Sequence, residues 1–516
     1  MLPGYKLFII SLLPCCCLAQ ADAQWEAKAL YKELLYLDHP LYGSRNPVAI
    51  SEAPADITVF DAAYSSASGN YKLIHEGRRQ EGRTGSIYGI KKLGKLSFEG
   101  SIEYNNETLA GKQWANYLYV SENNPFIISD SIPSDYGVEK FKLNGGFSYE
   151  IAPQWSAAMR ATYDAGTLAD QTDPRPSTKG MRFILNPGVI FRPSETFAAG
   201  ISAEIGRLNE ATSYTVVNSI EPNVNTLFIF KGLGSPEVKS ALGYKRTYEG
   251  GEYRGDVQIV WNSSPSLSNF LEAGYGEASE YASDGDTGFD YKGGDYKATT
   301  WSLAYQLRLK APSTVHRIAA MVESKAVDGI WYIQTQSSDT DGNIVWTVRD
   351  KSITHKESSK LASLSYTIDF MKGGLPSLTA SLRGTYTSSD IKQYPDLYGR
   401  EYALATYRGD VSKHLHILKG LLSLSLNGVY ASSLSQGMEV DGSKLKASYL
   451  EPAFLAACSS YYAFGIGAGY QTPLSVHSHQ VLIGLRASAG LKRYNGQGDL
   501  YADARRMFGI GLYLTF

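Results

Sequence analysis

Residues 96–104 read LSFEGSIEY. Every second residue from Leu96 to Tyr104 is apolar or glycine, and the residues between them are serine or glutamate. Successive side chains of a β-strand point to opposite faces, so this period of two predicts a strand with one apolar and one polar face. A helix would need a period near 3.6 residues, which this stretch does not have.

The same alternation recurs along the chain and sets the fold class. Short links such as Leu93-Gly94-Lys95 alternate with long polar links, among them 105–138, 208–240 and 326–358. A transmembrane β-barrel has this wiring, with short periplasmic turns and long extracellular loops. Further segments with the alternation are 141–149, 155–163, 301–309, 364–370, 378–386 and 422–430.

Composition removes the competing classes. After the N-terminal segment, no stretch of about 18 consecutive apolar residues occurs, so a bundle of transmembrane helices is excluded. The chain has 49 Lys and Arg against 51 Asp and Glu, a net charge of −2, which argues against nucleic acid as a partner. A soluble β-sandwich or propeller could alternate too, but its links would have no reason to be short at one end and long at the other.

We therefore predict an all-β fold, a transmembrane antiparallel β-barrel of about 16 strands, with 14 to 18 open. The range of this strand count comes from the tail of the chain. Its segments 445–458, 460–471, 479–493 and 503–516 are strand candidates without assigned directions. The predicted localisation is the cell outer membrane.

The last strand carries a predicted insertion signal. Its alternating side chains end in an aromatic residue and resemble the signal that the outer-membrane barrel-insertion machinery reads, so we expect that machinery as a partner during biogenesis. Outer-membrane lipid and lipopolysaccharide are the expected partners of the apolar face. The signal residues are Phe508, Ile510, Leu512, Leu514 and Phe516.

The N-terminal part of the chain divides into two predicted segments before the barrel. Residues 1–23 have a basic residue, an apolar run and the cleavage pattern Ala21-Asp22-Ala23, which predict a signal peptide. Residues 24–83 are predicted as a periplasmic or plug-like segment and lead-in, helical at its start. The barrel is predicted to span 84–516. Of the four cysteines, only Cys458 follows the signal segment, so no disulfide within the mature chain is expected.

Several short motifs resemble a family of outer-membrane β-barrel proteins of unknown function from Bacteroidota-type Gram-negative bacteria. They are Asp173-Pro174-Arg175-Pro176, Asn186-Pro187-Gly188, Gly85-Ser86-Ile87-Tyr88-Gly89 and Leu93-Gly94-Lys95-Leu96. The resemblance implies a fold and a compartment, and no established activity.

The polar faces of the strands would line the lumen, and two interpretations of them stay open. Ion pairs and water could fill the lumen, or the lumen could be a polar conduit in which opposed charges select solutes. The lumen-lining candidates are Glu99, Glu103, Lys142, Arg160, Arg182, Arg192, Glu204, Arg308, Arg317, Glu323, Asp369 and Arg383.

The loop motif Asp173-Pro174-Arg175-Pro176 falls in a predicted external loop. Its two prolines restrict the backbone around Arg175, so we expect a contact that folds back on the barrel, with a ligand contact as the alternative.

Sites for metals and for catalysis are not predicted. The pairs His414/His416 and His477/His479 have a spacing compatible with a transition metal, but they lie near links and have few carboxylates close by. We predict no metal and no cofactor. No nucleophile elbow, zinc-protease motif or phosphate-binding glycine loop lies where it could work, which leaves a hydrolase at the rim as a minor alternative.

The sequence thus predicts a channel or an accessory uptake component for small polar solutes. The alternative is a closed barrel that acts as an interaction or assembly component. A TonB-dependent receptor or a surface lipoprotein is the expected partner protein. The chain itself is not expected to be such a receptor, because residues 24–83 are too few for a folded plug domain.

Overall fold

The computed structural model describes residues 24–38, 40–53, 56–218, 226–285, 291–342, 344–443, 445–476, 479–495 and 504–516. The predicted signal segment 1–23 lies outside these residues. Eighteen antiparallel strands form one closed barrel, and three short strands form a separate small sheet. Among the described helices, none is long and apolar enough to cross a membrane.

Labels follow chain order. The barrel strands are β1 (Ile57–Ser68), β2 (Arg79–Leu93), β3 (Leu96–Lys112), β5 (Ser134–Ala152), β6 (Trp155–Asp170), β7 (Pro176–Ser194), β8 (Phe197–Tyr214), β11 (Lys245–Ser264), β12 (Leu267–Asp284), β13 (Tyr291–Lys310), β14 (Thr314–Ser338), β15 (Ile344–Lys372), β16 (Leu375–Gln393), β17 (Tyr398–Ile417), β18 (Gly420–Glu439), β19 (Tyr461–Val476), β20 (His479–Tyr494) and β21 (Ala504–Thr515). The small sheet contains β4 (Ile128–Ser129), β9 (Thr226–Ile229) and β10 (Glu237–Ser240). The helices are α1 (Gln24–Ala29), α2 (Tyr31–Asp38) and α3 (Glu451–Cys458), with 3-10 turns at Pro40–Gly43 and Pro47–Glu52 and a π-helical turn at Lys446–Leu450.

The barrel closes between its first and last strands. In β21, Leu512 lies opposite Ala62 of β1 and Leu485 of β20, so the last strand is paired along both edges. Phe516 at the end of the chain packs edge-on against Phe60, with ring centroids 5.6 Å apart. Closure leaves no open edge, which a sheet in lipid requires because no water is present there to hydrogen-bond an unpaired strand.

The alternation places apolar side chains on the outside of the barrel. Ile102 of β3, Leu364 of β15 and Leu512 of β21 are all about half exposed, with polar neighbours on the opposite face. The predicted fold class is confirmed, and the eighteen strands lie within the predicted range.

The structure corrects the N-terminal boundary of the barrel and one tail element. The barrel begins at Ile57 and not at residue 84, because 57–68 is a paired strand. Its outward positions are mostly small or hydroxyl residues such as Ala62 and Ser66, which weakened the apolar signal. Residues 446–458, taken as part of a tail strand, are helical.

The long links are shorter than predicted, because the strands continue beyond the apolar band. Only 113–133 separates β3 from β5, apart from the short strand β4 within it, where 105–138 was predicted. The predicted link 326–358 is mostly strand, since β14 has 25 residues and β15 has 29, and together they form a projecting hairpin. Beyond the apolar band, the strands continue with polar residues on both faces. The period-two pattern is absent there, so it predicted strand ends that lie too early.

Leu512→Arg should block insertion of the barrel. A charged side chain on the lipid face costs up to about 2–4 kcal/mol, depending on its depth. The measurement is the amount of heat-resistant folded protein in the membrane fraction. Ser488→Arg, on the inward face of the neighbouring strand β20, is the matched control and should accumulate normally. Equal accumulation of the two variants would contradict the assigned faces.

Candidate functional site: a lumen occupied at both ends

The structure places the predicted lumen residues on the inward face. Each lies at a position of opposite parity to the exposed apolar residues of its strand, as Lys142 does between Phe141 and Leu143. Their environments differ with depth. Near the short-turn end they contact the N-terminal segment, and further along they face open space.

Residues 24–53, which we call the leader, cross the lumen at the short-turn end. Trp25 packs in a buried cluster with Leu421 of β18 and Leu482 of β20. On the other side of the barrel, Arg308 of β13 donates a hydrogen bond to the carbonyl of Leu37 at 2.8 Å. The leader therefore spans the lumen from wall to wall before it enters β1.

Asn46 anchors the leader to three strands. The side chain is fully buried. Its Nδ2 lies 3.2 Å from the carbonyl oxygen of Val189, 3.1 Å from that of Ile201 and 3.0 Å from Oε1 of Gln258. Its Oδ1 accepts a hydrogen bond from the backbone N–H of Val48, which starts the second 3-10 turn. One amide thus connects the leader to β7, β8 and β11.

Two glycines make room for this anchor. A Cβ atom at Gly188 would lie 2.4 Å from Oδ1 of Asn46, and one at Gly200 would lie 3.0 Å from its Nδ2. Both distances are shorter than a normal van der Waals contact. Gly188 is the last residue of the motif Asn186-Pro187-Gly188, so the structure gives that glycine a steric role.

Two ion pairs join the leader to predicted lumen residues. Arg192 of β7 lies 3.1 Å from Glu52, and Glu204 of β8 lies 3.3 Å from Arg45. Burial raises the pKa of the Glu52 carboxyl above its ordinary value, although Arg192 opposes that shift. Arg192, Glu204 and Arg308 therefore contact the leader.

Further along the lumen, charges alternate in sign across neighbouring strands. The register sets Glu103 opposite Lys142, Lys142 opposite Asp164, and Asp164 opposite Arg182. Arg182 in turn forms an ion pair with Glu252 of β11 at 2.7 Å. Glu103 and Lys142 remain exposed although they point inward, so this level of the barrel has space for water.

Two arginines stand on the other side of the barrel. Arg383 of β16 and Arg408 of β17 are direct partners in the register, and their strands lie half-way round the ring of 18 from β5 and β6. Arg408 is paired with Asp410 at 2.8 Å, and Arg383 is exposed. We call the space between the alternating charges and these arginines the chamber.

Of the remaining lumen-lining candidates, four form ion pairs on the barrel wall, and Glu323 lies beside uncharged residues. Arg160 is paired with Glu99, and Arg317 is paired with Asp369 at 2.9 Å. Glu323 lies opposite Ser302 and Leu361 in the register.

Three segments, 113–133, 226–244 and 445–458, cover the lumen at the long-loop end, and we call them the cap. Two inward carboxylates hold its backbone. Glu210 accepts hydrogen bonds from the N–H groups of Leu118 (2.9 Å) and Tyr119 (2.6 Å), and Glu280 accepts one from the N–H of Ser121 (3.0 Å). Wall residues thus satisfy loop N–H groups that water would otherwise have to satisfy.

A buried ion pair fixes the centre of the cap. Arg246 of β11 is fully buried and lies 2.6 Å from Asp284 of β12. Its Nη1 and the hydroxyl of Tyr248 both donate to the carbonyl of Phe126, at 3.0 Å and 3.1 Å. A charged group buried in this way is costly without its partner, so this contact depends on both ions.

An apolar cluster joins the three cap segments. Trp114, Phe230 and Leu445 belong to one buried cluster, and each comes from a different segment. Tyr449 stacks near both rings, 5.3 Å from Trp114 and 4.8 Å from Phe230 between centroids. The cap is therefore one packed layer.

The loop motif makes local contacts at the rim. Asp173 accepts hydrogen bonds from the N–H groups of Val217 (3.1 Å) and Asn218 (2.6 Å), and from Nε of Arg175 at 2.8 Å. The motif therefore connects the β6–β7 turn to the chain that follows β8. Pro174 and Pro176 flank the arginine on the chain.

Of the two histidine pairs, the structure describes both side chains only for His414/His416. His414 and His416 share the inward face of β17, where His414 contacts Ser423 and His416 lies 3.5 Å from Glu26. His477 and the side chain of His479 lie outside what the structure describes. Within the described part of the chain, no three metal-ligating side chains are grouped.

Sequence reasoning missed Asn46, Glu210, Arg246 and Glu280, which hold the leader and the cap. Asn46 directly precedes Pro47, an arrangement typical of a helix start, which could have marked it as a cap residue. For the other three, no local pattern separates a loop anchor from any inward charge.

The chain belongs to a family of unknown function, DUF6850. The model of that family matches residues 47–516, so the match begins at the turn that follows Asn46. Among curated proteins, no match was found. The resemblance that the motifs suggested thus agrees with the family result as far as an uncharacterised barrel family.

Solved structures are similar in architecture. The ferric preacinetobactin receptor BauA from Acinetobacter baumannii shares 11% identity over 90% of this chain and 80% of its own, with a TM-score of 0.41. A FadL homologue from Pseudomonas aeruginosa shares 11% identity over 95% and 96%, with a TM-score of 0.35. The RagAB peptide transporter shares 7% identity over 89% and 87%, with a TM-score of 0.43.

Asn46→Ala should release the leader and leave the barrel intact. The variant leaves Oε1 of Gln258 without the Asn46 amide donor, at a cost of about 1–3 kcal/mol. We expect trypsin to cut at Lys28 and Arg45 about tenfold faster, while the barrel keeps its heat resistance. Asn106→Ala, at the outer rim, is the control. An unchanged cleavage rate would show that Asn46 does not hold the leader.

Docking of the leader should weaken as the pH rises. The raised pKa of Glu52 means that the docked leader binds a proton more tightly than the released leader. This contribution is complete below the ordinary value of 4.5 and is lost as the pH rises through the raised value. Hydrogen-exchange protection of leader amides, corrected for intrinsic rates, should fall with pH more steeply than in Glu52→Gln. Parallel profiles would exclude Glu52 as the source.

Proposed function

We propose that the protein is an outer-membrane barrel that takes up small polar solutes through a gated lumen, alone or beside a partner protein. The main support for this proposal is the chamber, in which Glu103, Lys142 and Arg383 are exposed inside the barrel. Charges are costly to remove from water, so these side chains keep the chamber wet. A wet compartment with charges on facing walls suits the selection of polar solutes.

The leader and the cap are the gates in this proposal. Both are held by side-chain hydrogen bonds, ion pairs and packing, and neither contributes a strand to the barrel. Either can therefore leave its place without opening the ladder of the wall. The leader is the more readily released of the two, because its ion pairs Arg192–Glu52 and Arg45–Glu204 are partly exposed, while the ion pair that fixes the cap is buried.

A closed barrel that acts as an interaction component is the second candidate. The firm attachment of the cap through Arg246 and Asp284 favours it. So does the projecting β14–β15 hairpin, whose Ile333, Val345 and Val348 are exposed. In this reading a TonB-dependent receptor or a surface lipoprotein would bind the outer side.

Conductance in a planar bilayer separates the two candidates. The mature protein should give small or intermittent currents, and a variant without residues 24–53, in which only the cap remains as a gate, should give larger ones. In that variant, Arg383→Gln should shift the reversal potential toward cation selectivity, because one positive charge leaves the chamber. Heat resistance on gels controls for folding of each barrel.

A further variant addresses the cap. Glu280→Ala removes the acceptor for Ser121 and Asn124, and it should raise the conductance of the leader-deleted barrel. If the folded barrel without leader and with Glu280→Ala is still silent, the conduit is rejected and the interaction role becomes the better account.

A further inference from the structure

Beside the leader, the lumen holds a cavity of about 420 Å³, which we call the leader cavity. Its floor is the chain around Leu30, and its walls are the inward faces of β17–β21, β1 and β2. This size lies within the range of small-molecule sites. It differs from the chamber, because one wall belongs to a segment that the proposed gating would move.

The cavity has apolar and polar lining, and most of its polar side chains are uncharged groups that both donate and accept hydrogen bonds. A hydroxyl group does both, so such a wall matches a ligand that itself carries many hydroxyls. The polar uncharged side chains that line the cavity include those of Ser412, Ser425, Ser488, Thr515, Tyr88 and Gln471.

Charge in the cavity is balanced. Arg486 forms two contacts of 2.7 Å with Asp61, so its charge is already neutralised. Lys28 and Glu33 of the leader add one charge of each sign. A fixed anion or cation would find no uncompensated partner among the wall residues here, and a neutral ligand needs none.

A buried ring nitrogen of His414 in the cavity lining has no hydrogen-bond partner among the described residues. His414 is 8% exposed, and its Nδ1 is hydrogen-bonded to Ser423 at 2.8 Å. Its Nε2 is buried and finds no hydrogen-bond partner among the described residues. Because His414 lines the cavity, a ligand hydroxyl there would remove the cost of an unsatisfied buried group.

The geometry also leaves a space and an aromatic surface for a ring. Gly467 and Gly469 of β19 put no side chain into the cavity. Tyr513 is fixed beside them, since its hydroxyl donates to Gln471 at 3.4 Å and Gln471 donates to the carbonyl of Ala29 at 3.1 Å. Ring faces of this kind present an apolar surface to the C–H face of a saccharide.

We propose that the leader cavity binds a neutral, hydroxyl-rich solute of the size of a mono- or disaccharide. The inference rests on the proposed function, and it names the solute class and the place where the solute meets the inner gate. Occupancy would contact both the wall and the leader, so binding and the position of the leader are coupled.

The test is isothermal titration calorimetry on the mature protein in detergent, with glucose, maltose and gluconate as probes. Glucose or maltose should bind, and anionic gluconate should bind at least about tenfold more weakly. Absence of binding by both neutral sugars, or equal binding of gluconate, would overturn the proposal.

Gly469→Leu fills part of the cavity and removes none of its polar groups. A Cβ there has room, with the nearest atoms, the Leu485 carbonyl oxygen and Cβ of Arg486, at 3.7 and 3.8 Å. Sugar affinity should fall at least about tenfold. Gly409→Leu, on the lipid face of β17, is the matched control and should bind like the parent. Unchanged affinity in a heat-resistant Gly469→Leu barrel would overturn the site.

A second variant guards against misfolding of the first. His414→Ala should weaken sugar binding several-fold, and an unchanged affinity would remove the histidine from the site. The two proposals fail separately. A barrel that conducts but binds no sugar keeps the conduit and loses this site, and a barrel that binds sugar but stays silent does the reverse.

Discussion

The hydrogen-bond ladder between β1 and β21 is the contact on which the rest of the structure depends. Within a bilayer, each unpaired backbone group costs several kcal/mol, so the sheet must close on itself. Closure then fixes the parity of every strand, because a slip of one residue would turn the apolar side chains inward. The lumen, its charges and its two occupied ends all follow from that parity.

The leader and the cap fill the two ends of the lumen, so their backbone N–H and C=O groups need hydrogen-bond partners as well. Their backbones cannot pair with the wall as strands, since the wall strands already pair with each other. Side chains therefore provide the partners, with Asn46 bonding to wall carbonyls and Glu210 and Glu280 bonding to cap amides. The polar face of the wall serves this purpose at both ends, and the middle keeps exposed charges such as Glu103 and Lys142.

The period-two pattern could predict the fold class, the range of strand number and the inward face of residues such as Lys142 and Arg383. It could not predict β1, where Ala62 and Ser66 occupy outward positions, or the helices at 446–458, where apolar residues suggested a strand. The pattern also did not predict the residues that anchor the leader and the cap. Arg246 and Arg383 look alike in sequence, and only the path of a distant loop makes the first fully buried and leaves the second exposed.

The position of Asn46 has a consequence for how this sequence can change. Asn46, Gly188 and Gly200 are far apart in the chain, yet the amide fits only where both glycines lack a Cβ. A larger residue at either glycine becomes acceptable only after the asparagine has been replaced by something smaller. Asn46 and the two glycines should therefore change together, and in a relative without the leader the amide would no longer exclude a side chain at position 188.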